Sequence, residues 1–183
     1  MSASTFSRNG ATQDGEAIDN ADYGGRGQMI VTASTFTGNR GPARRDDRQR
    51  RPWRGGSVTV AADVFSGGCR HPRGIWNDLG YNAGSGATCF AAAPPGTDVD
   101  TGSVAALKLG TPARNGGPTR TVLPQPGSPV IGIIPDPAAI SVGARLLTVC
   151  PATDQRGYSS APGPCDAGSV QTTATAAVAG PSW

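Results

Sequence analysis

Few residues in this chain could do chemistry, and their spacing decides how far each can be taken. Asp98 and Asp100 lie two residues apart after Pro94-Pro95-Gly96-Thr97. Carboxylates held a few Å apart act as acid and base in glycoside hydrolysis. With further carboxylates they hold Ca²⁺, beside which a basic residue can take a proton in lyase chemistry. Nothing in so proline-rich a segment fixes that distance, so residues 91–103 read as a disordered loop or linker. Asp46 and Asp47 form a second pair, neutralised by neighbouring arginines. Asp63 is the one carboxylate read at a position equivalent between internal copies, where it replaces Ser4 and Ser34. No catalytic constellation emerges, and no cofactor is expected.

His71 is the only histidine and stands two residues from Cys69, with Cys89 further on. Tetrahedral zinc needs four ligands. A disulfide beside an exposed histidine is therefore preferred, and no metal site is assigned. Asp154-Gln155-Arg156-Gly157 is compact and polar but lies between Cys150 and Cys165. It reads as a turn in which Asp154 and Arg156 satisfy local backbone groups. Of the three pairings open to four cysteines, Cys69–Cys89 and Cys150–Cys165 are expected. Each closes one short Gly/Pro-rich segment with little apolar text to hold it.

Residues 40–54 carry seven arginines against two aspartates. The functional reading is a patch for phosphate or an acidic polymer, using Arg44, Arg45, Arg48, Arg50 and Arg51, with Trp53 for stacking. The ordinary reading, a solvated loop over residues 40–55, is preferred because charge runs commonly form one. A net charge of +3 over 183 residues implies neither nucleic acid nor a membrane surface.

The elements that must position these groups come from a repeated text. Val31-Thr32-Ala33-Ser34-Thr35-Phe36-Thr37-Gly38-Asn39 matches Ala3-Ser4-Thr5-Phe6-Ser7-Arg8-Asn9 thirty residues earlier, and more loosely Val60-Ala61-Ala62-Asp63-Val64-Phe65-Ser66 after it. A fixed period near thirty marks a stacked-repeat architecture. Alternating β-branched residues in each copy predict short strands. Val31 would lie over Val60, and Phe6 over Phe36 over Phe65. Asn9 and Asn39 would pair as side-chain amides, with Gly68 breaking the stack. A coil of parallel strands follows, in which each copy buries its apolar face only against its neighbours.

Gly and Pro supply almost a quarter of the residues (27 and 16 of 183), which fits turn-rich β structure. The short apolar pieces between Val104 and Val149 are too punctuated for ordinary helices. Three parts are expected: copies of the repeat over 1–68, an irregular cap over 69–171, and a disordered tail over 172–183. No apolar run approaches the roughly 18 residues of a membrane span.

With that order in view, the chain resembles the C-terminal part of bacterial surface proteins of the choice-of-anchor Q type, related to the polymorphic outer-membrane proteins. The matching pieces begin with Ser34-Thr35-Phe36-Thr37-Gly38-Asn39 and Asp78-Leu79-Gly80-Tyr81-Asn82. Asn115-Gly116-Gly117-Pro118-Thr119 and Pro126-Gly127-Ser128-Pro129-Val130-Ile131 follow. The last are Cys150-Pro151-Ala152-Thr153-Asp154-Gln155-Arg156-Gly157 and Cys165-Asp166-Ala167-Gly168. Ala33 and Ala62 stand where that family often has Asn.

The resemblance implies an all-β, right-handed parallel β-helix and a non-catalytic extracellular or cell-surface module, stalk-like or adhesin-like, with a glycan or host-surface ligand. Two alternatives are carried: a carbohydrate-active β-helix whose active site lies outside this chain, and a polyanion-binding module working through the arginine-rich loop. Met1 aligns over Val31, in mid-strand. The chain is therefore expected to be the C-terminal piece of a longer secreted protein, and aggregation-prone alone.

Overall fold

The computed structural model describes residues 1–12, 17–18, 20, 27–41, 56–67, 69, 75–90 and 97–176. The fold is all-β, and among the described residues helix is confined to two short 3₁₀ turns, Ala87–Cys89 and Ala105–Leu107. Eight strands belong to two parallel sheets: β1 (Thr5–Ser7), β2 (Gln28–Thr32), β3 (Thr35–Thr37), β4 (Ser57–Ala61), β5 (Val64–Ser66), β6 (Ile75–Asp78), β7 (Ala83–Gly84) and β8 (Val99–Asp100). One sheet has the order β2-β4-β6 and the other β1-β3-β5-β7-β8. A hairpin of β9 (Ala139–Val142) and β10 (Arg145–Thr148) completes the set.

Parallel pairing sets like on like. Val31 pairs with Val60 and Val60 with Asp78, while Met29, Val58 and Trp76 form the neighbouring column. Val31 and Val60 are buried. On the other sheet Phe6 pairs with Phe36 and Phe36 with Phe65. Strands in a sheet are spaced by about 4.8 Å, so the rings must lie face on face. Their centroids are 4.9 and 5.3 Å apart. Trp76 tilts against Phe65 at 6.0 Å and donates its indole N–H to the carbonyl of Cys89. Outside the column, Asn9 donates its amide to Asn39 Oδ1 at 2.9 Å, and Asn39 donates to the carbonyl of Phe6.

Between the two sheets the chain turns a corner, and at each corner one non-glycine residue has positive φ: Ala3, Ala33, Ala62 and Tyr81. The left-handed conformation costs an L-residue about 1–2 kcal/mol. The corner is held because its N–H bonds to the next layer, Ala33 to the carbonyl of Ala61 and Ala62 to that of Gly80.

Parallel pairing does not stop at residue 68, where the sequence suggested an irregular cap. It runs through β6 and β7 to β8, so Val99 and Asp100 are strand, not disordered loop. The stretch Gly15 to Asn20, whose text reads as a second strand and turn within the first period, lies partly outside the described residues. Disulfides join Cys69 to Cys89 and Cys150 to Cys165. The first places Cys89 in the apolar cluster of Val31, Val60 and Phe65.

The C-terminal half is irregular but not separate. Leu107, Val130, Ile134, Ile140 and Val149 share one core cluster with Ala61, Ala62, Val64 and Ala83 of the stack. Its closing segment, Cys165 to Gln171, is buried throughout. Gly168 donates its N–H to the carbonyl of Ala62, and Ser169 donates its N–H to Thr35 Oγ1 at 3.0 Å. The Ser169 hydroxyl lies 2.7 Å from that of Thr5. This strap thus crosses the beginnings of β1, β3 and β5. Of the tail expected over 172–183, Thr172 is bonded to Asp166 and Thr175 bridges Ser159, while 177–183 lie outside the described residues.

Two stability outcomes follow. Phe65→Ala should cost about 3–4 kcal/mol as a buried aromatic truncation, and Phe6→Ala distinctly less, because Phe6 is only half-buried. Equal losses in urea denaturation would contradict a column buried progressively from Phe6 to Phe65. Gly168 has φ +96°, and a Cβ there would stand 2.7 Å from Thr35 Oγ1 and 3.0 Å from Val64 Cγ2. Gly168→Ala should cost about 3 kcal/mol, combining backbone strain with overpacking. Gly143→Ala, at φ +59° with open space around it, should cost about 1 kcal/mol.

Candidate functional site

The residue after each corner builds a polar column within the apolar stack. Ser4 donates its N–H to Ser34 Oγ at 3.3 Å, and Ser34 its N–H to Asp63 Oδ1 at 2.7 Å. Asp63 in turn donates to Asn82 Oδ1 at 2.9 Å, and Asn82 to Asp98 Oδ1 at 2.7 Å. A buried N–H left without an acceptor costs about 1–3 kcal/mol. Ser, Asp and Asn carry an acceptor on a stem short enough to meet it. Asp98, assigned from sequence to a disordered loop, is therefore the column's last member.

Asp78 enters from the other sheet. It occupies the buried position above Val60, and its Oδ1 accepts the N–H of Gly80 at 3.0 Å and the amide of Asn82 at 2.8 Å. Asp98 accepts the backbone N–H of the same Asn82, so the two carboxyls converge on one residue. The Oδ2 atoms of Asp63, Asp78 and Asp98 are buried with no hydrogen-bond partner among the described residues. Burial raises all three carboxyls above their usual range. Asp63 stands well above it despite the Ser34 N–H. Asp98 is pushed up to about 7 by burial, against the N–H of Asn82 and with the help of the neighbouring Asp78 charge.

Chemically this is an acid–base pair by composition, but an enclosed one. Asp63 is 0% exposed and Asp78 4%. Asp98 is half-buried as a residue, with its Oδ2 atom enclosed. Among the described residues no three metal-ligating side chains converge.

A second polar cluster lies under the strap. Asp154 accepts the N–H groups of Arg156, Tyr158 and Gln171, and pairs with the Arg156 guanidinium at 2.7 and 2.9 Å. Arg156 also donates to the carbonyl of Gln171 and lies over the Tyr158 ring, 4.3 Å from its centroid. Gln171 exchanges two bonds with the backbone of Asp166, whose carboxylate accepts the Gly132 and Thr172 N–H groups. The sequence suggested a turn satisfying local groups. Asp154 does cap its own turn, but it also fastens Gln171, seventeen positions away.

Of the other sequence candidates, Arg44, Arg45, Arg48, Arg50, Arg51 and Trp53, together with Asp46, Asp47 and His71, lie outside the described residues. Asp100 is exposed and turns its carboxylate to the N–H of Gly102. The continuation of the polar column through Asn82 and Asp98 was missed because the spacing shrinks. Successive members are 30, 29, 19 and 16 residues apart, so a fixed period loses them after Asp63. No family model, curated protein or solved structure matches this chain.

Arg156→Ala should cost about 3 kcal/mol, because it leaves the Asp154 charge buried with backbone donors alone. Adding Asp154→Asn should recover part of that loss by removing the charge. A double variant less stable than Arg156→Ala in chemical denaturation would show that the carboxylate matters chiefly as a turn cap.

Proposed function

We propose that this chain is a non-catalytic, extracellular or cell-surface module, stalk-like or adhesin-like. Its architecture is read as the end of a right-handed parallel β-helix of the choice-of-anchor Q kind that its sequence resembles. The observation that supports this most is the orientation of the acidic groups. In an enzyme acting on polysaccharide, paired carboxylates must face the substrate. Asp63, Asp78 and Asp98 instead face inward, each accepting a backbone N–H of the stack. Their chemistry is used in holding layers together. Two disulfides suit an oxidising compartment, and no helix among the described residues is long and apolar enough to cross a membrane. A surface module of this kind works by presenting loops at a distance, so its ligand is expected to be a glycan or another surface.

The test is incubation of the full chain with polygalacturonate and related glycans, with and without Ca²⁺, reading unsaturated products and new reducing ends. The expected result is no product. Turnover abolished by Asp78→Asn or Asp98→Asn would overturn the reading. A heparin column run at two salt concentrations covers the rival binding mode. Retention that is lost when Arg44, Arg45, Arg48, Arg50 and Arg51 are all changed to Gln would replace the stalk reading with polyanion binding.

A further inference from the structure

Asp78 and Asp98 come from different sheets and converge on one asparagine. Asn82 gives its side-chain amide to Asp78 Oδ1 and its backbone N–H to Asp98 Oδ1. Gly80 gives its N–H to the same Asp78 oxygen. All these donors are spent on the two Oδ1 atoms, and each Oδ2 is buried without a donor of its own. Two carboxylates so placed cannot both be charged without strong repulsion in a poorly solvated site. A single proton shared between the two carboxyls removes that repulsion.

Among the described residues, the elements that carry the pair offer no compensating cation. From the β4–β5 corner comes Asp63, itself acidic and wholly buried. On the β6–β7 corner the neighbours are Leu79, Gly80 and Tyr81, and on β8 the next acid is Asp100, directed to solvent. The Met1 ammonium acts on Asp63, drawing its carboxyl downward against burial.

We propose that Asp78 and Asp98 share a single proton as a pH-sensitive latch, and that losing it unfastens the Gly80–Asn82 corner from the layers on either side. The upward displacement of both acids, Asp98 to about 7, agrees with this and sets the range. A carboxyl whose proton is held more tightly folded than unfolded destabilises the fold as pH rises. The stabilising difference is therefore greatest near pH 4, falls as pH approaches about 7, and then levels. The latch is closed in acid and open in mild alkali, which is independent of any role as a stalk.

The experiment uses the full chain, its Asp78→Asn and Asp98→Asn variants, and Asp63→Asn as a control. Thermal unfolding is followed from pH 5 to 8.5, with amide exchange at Gly80 and Asn82. In the natural sequence the unfolding midpoint should fall across this range. Exchange at those two amides should rise by more than the tenfold per pH unit expected of base catalysis alone. Either pair variant keeps its Oδ1 acceptor, gains an N–H donor, and should flatten the excess exchange and lessen the fall in midpoint, the rest of which Asp63 contributes, while unfolding at a higher temperature at pH 8. If only Asp63→Asn flattens them, the latch is overturned. Millimolar Ca²⁺ stabilising the natural chain at pH 8, but not Asp98→Asn, would also overturn it, since a cation would then occupy the site. Should a variant fail to fold, carboxyl ¹³C shifts of the natural chain decide. Two aspartates titrating together near neutrality support the shared proton, and all aspartates titrating below pH 5 refute it.

Discussion

The constraint on which the structure depends is the inward N–H that each corner creates. A chain that passes from one parallel sheet to another must bend, and it bends here through a left-handed residue. The amide that follows points along the stack, out of line with either sheet's ladder. It needs an acceptor that no backbone carbonyl supplies. The side chain of the next layer provides it, from Ser34 through Asp63 and Asn82 to Asp98. Acidic residues consequently sit in the core, and the rest of the interior is arranged around them.

That arrangement explains the division of labour between the halves of the chain. The stack supplies columns of like residues, but its layers are thin and two of them are short. The C-terminal half supplies mass: Leu107, Val130, Ile134 and Val149 cover Ala61, Ala62 and Ala83. The strap from Cys165 to Gln171 then uses hydroxyls and backbone, not apolar bulk, to cross β1, β3 and β5. Gly168 is required because its N–H must approach the Ala62 carbonyl while its α-carbon passes Thr35 and Val64. The Asp154–Arg156 pair anchors the far end of that strap.

Much of the first three layers was legible in the sequence. Phe6, Phe36 and Phe65 stack, Asn9 meets Asn39, and Ser4, Ser34 and Asp63 share a column, because parallel in-register pairing converts a textual period directly into contacts. Asn82 and Asp98 were not legible as members of that column. A layer can shorten by removing loop residues without moving its corner, so geometry persists where spacing does not. The C-terminal half gave still less, since its burial follows no period of two or 3.6. Buried Gln171 and Ser169 in a Gly- and Thr-rich context carry no hydrophobic signal, and only the three-dimensional crossing of the strap makes them core.

Burying three carboxyls is a costly way to cap three amides, and serines would do it more cheaply. Register offers a physical reason. β2 reads Met29-Ile30-Val31, apolar in both phases of the strand alternation, so apolar burial alone resists a one-residue slip only weakly. The same holds where Val60 and Ala61 adjoin in β4. Slipping by one residue would carry Asp63 away from the Ser34 N–H and leave a carboxyl buried with no donor. A buried polar group is tolerated in other folds for this effect, fixing one alignment at some expense of stability. Here the penalty for slipping grows from Ser34 to Asp63 to Asp98, toward the shorter layers. Those layers have the fewest paired strand residues to hold their register, two each in β7 and β8. The last acidic cap, Asp98, therefore stands beside a two-residue strand, where the backbone ladder is weakest.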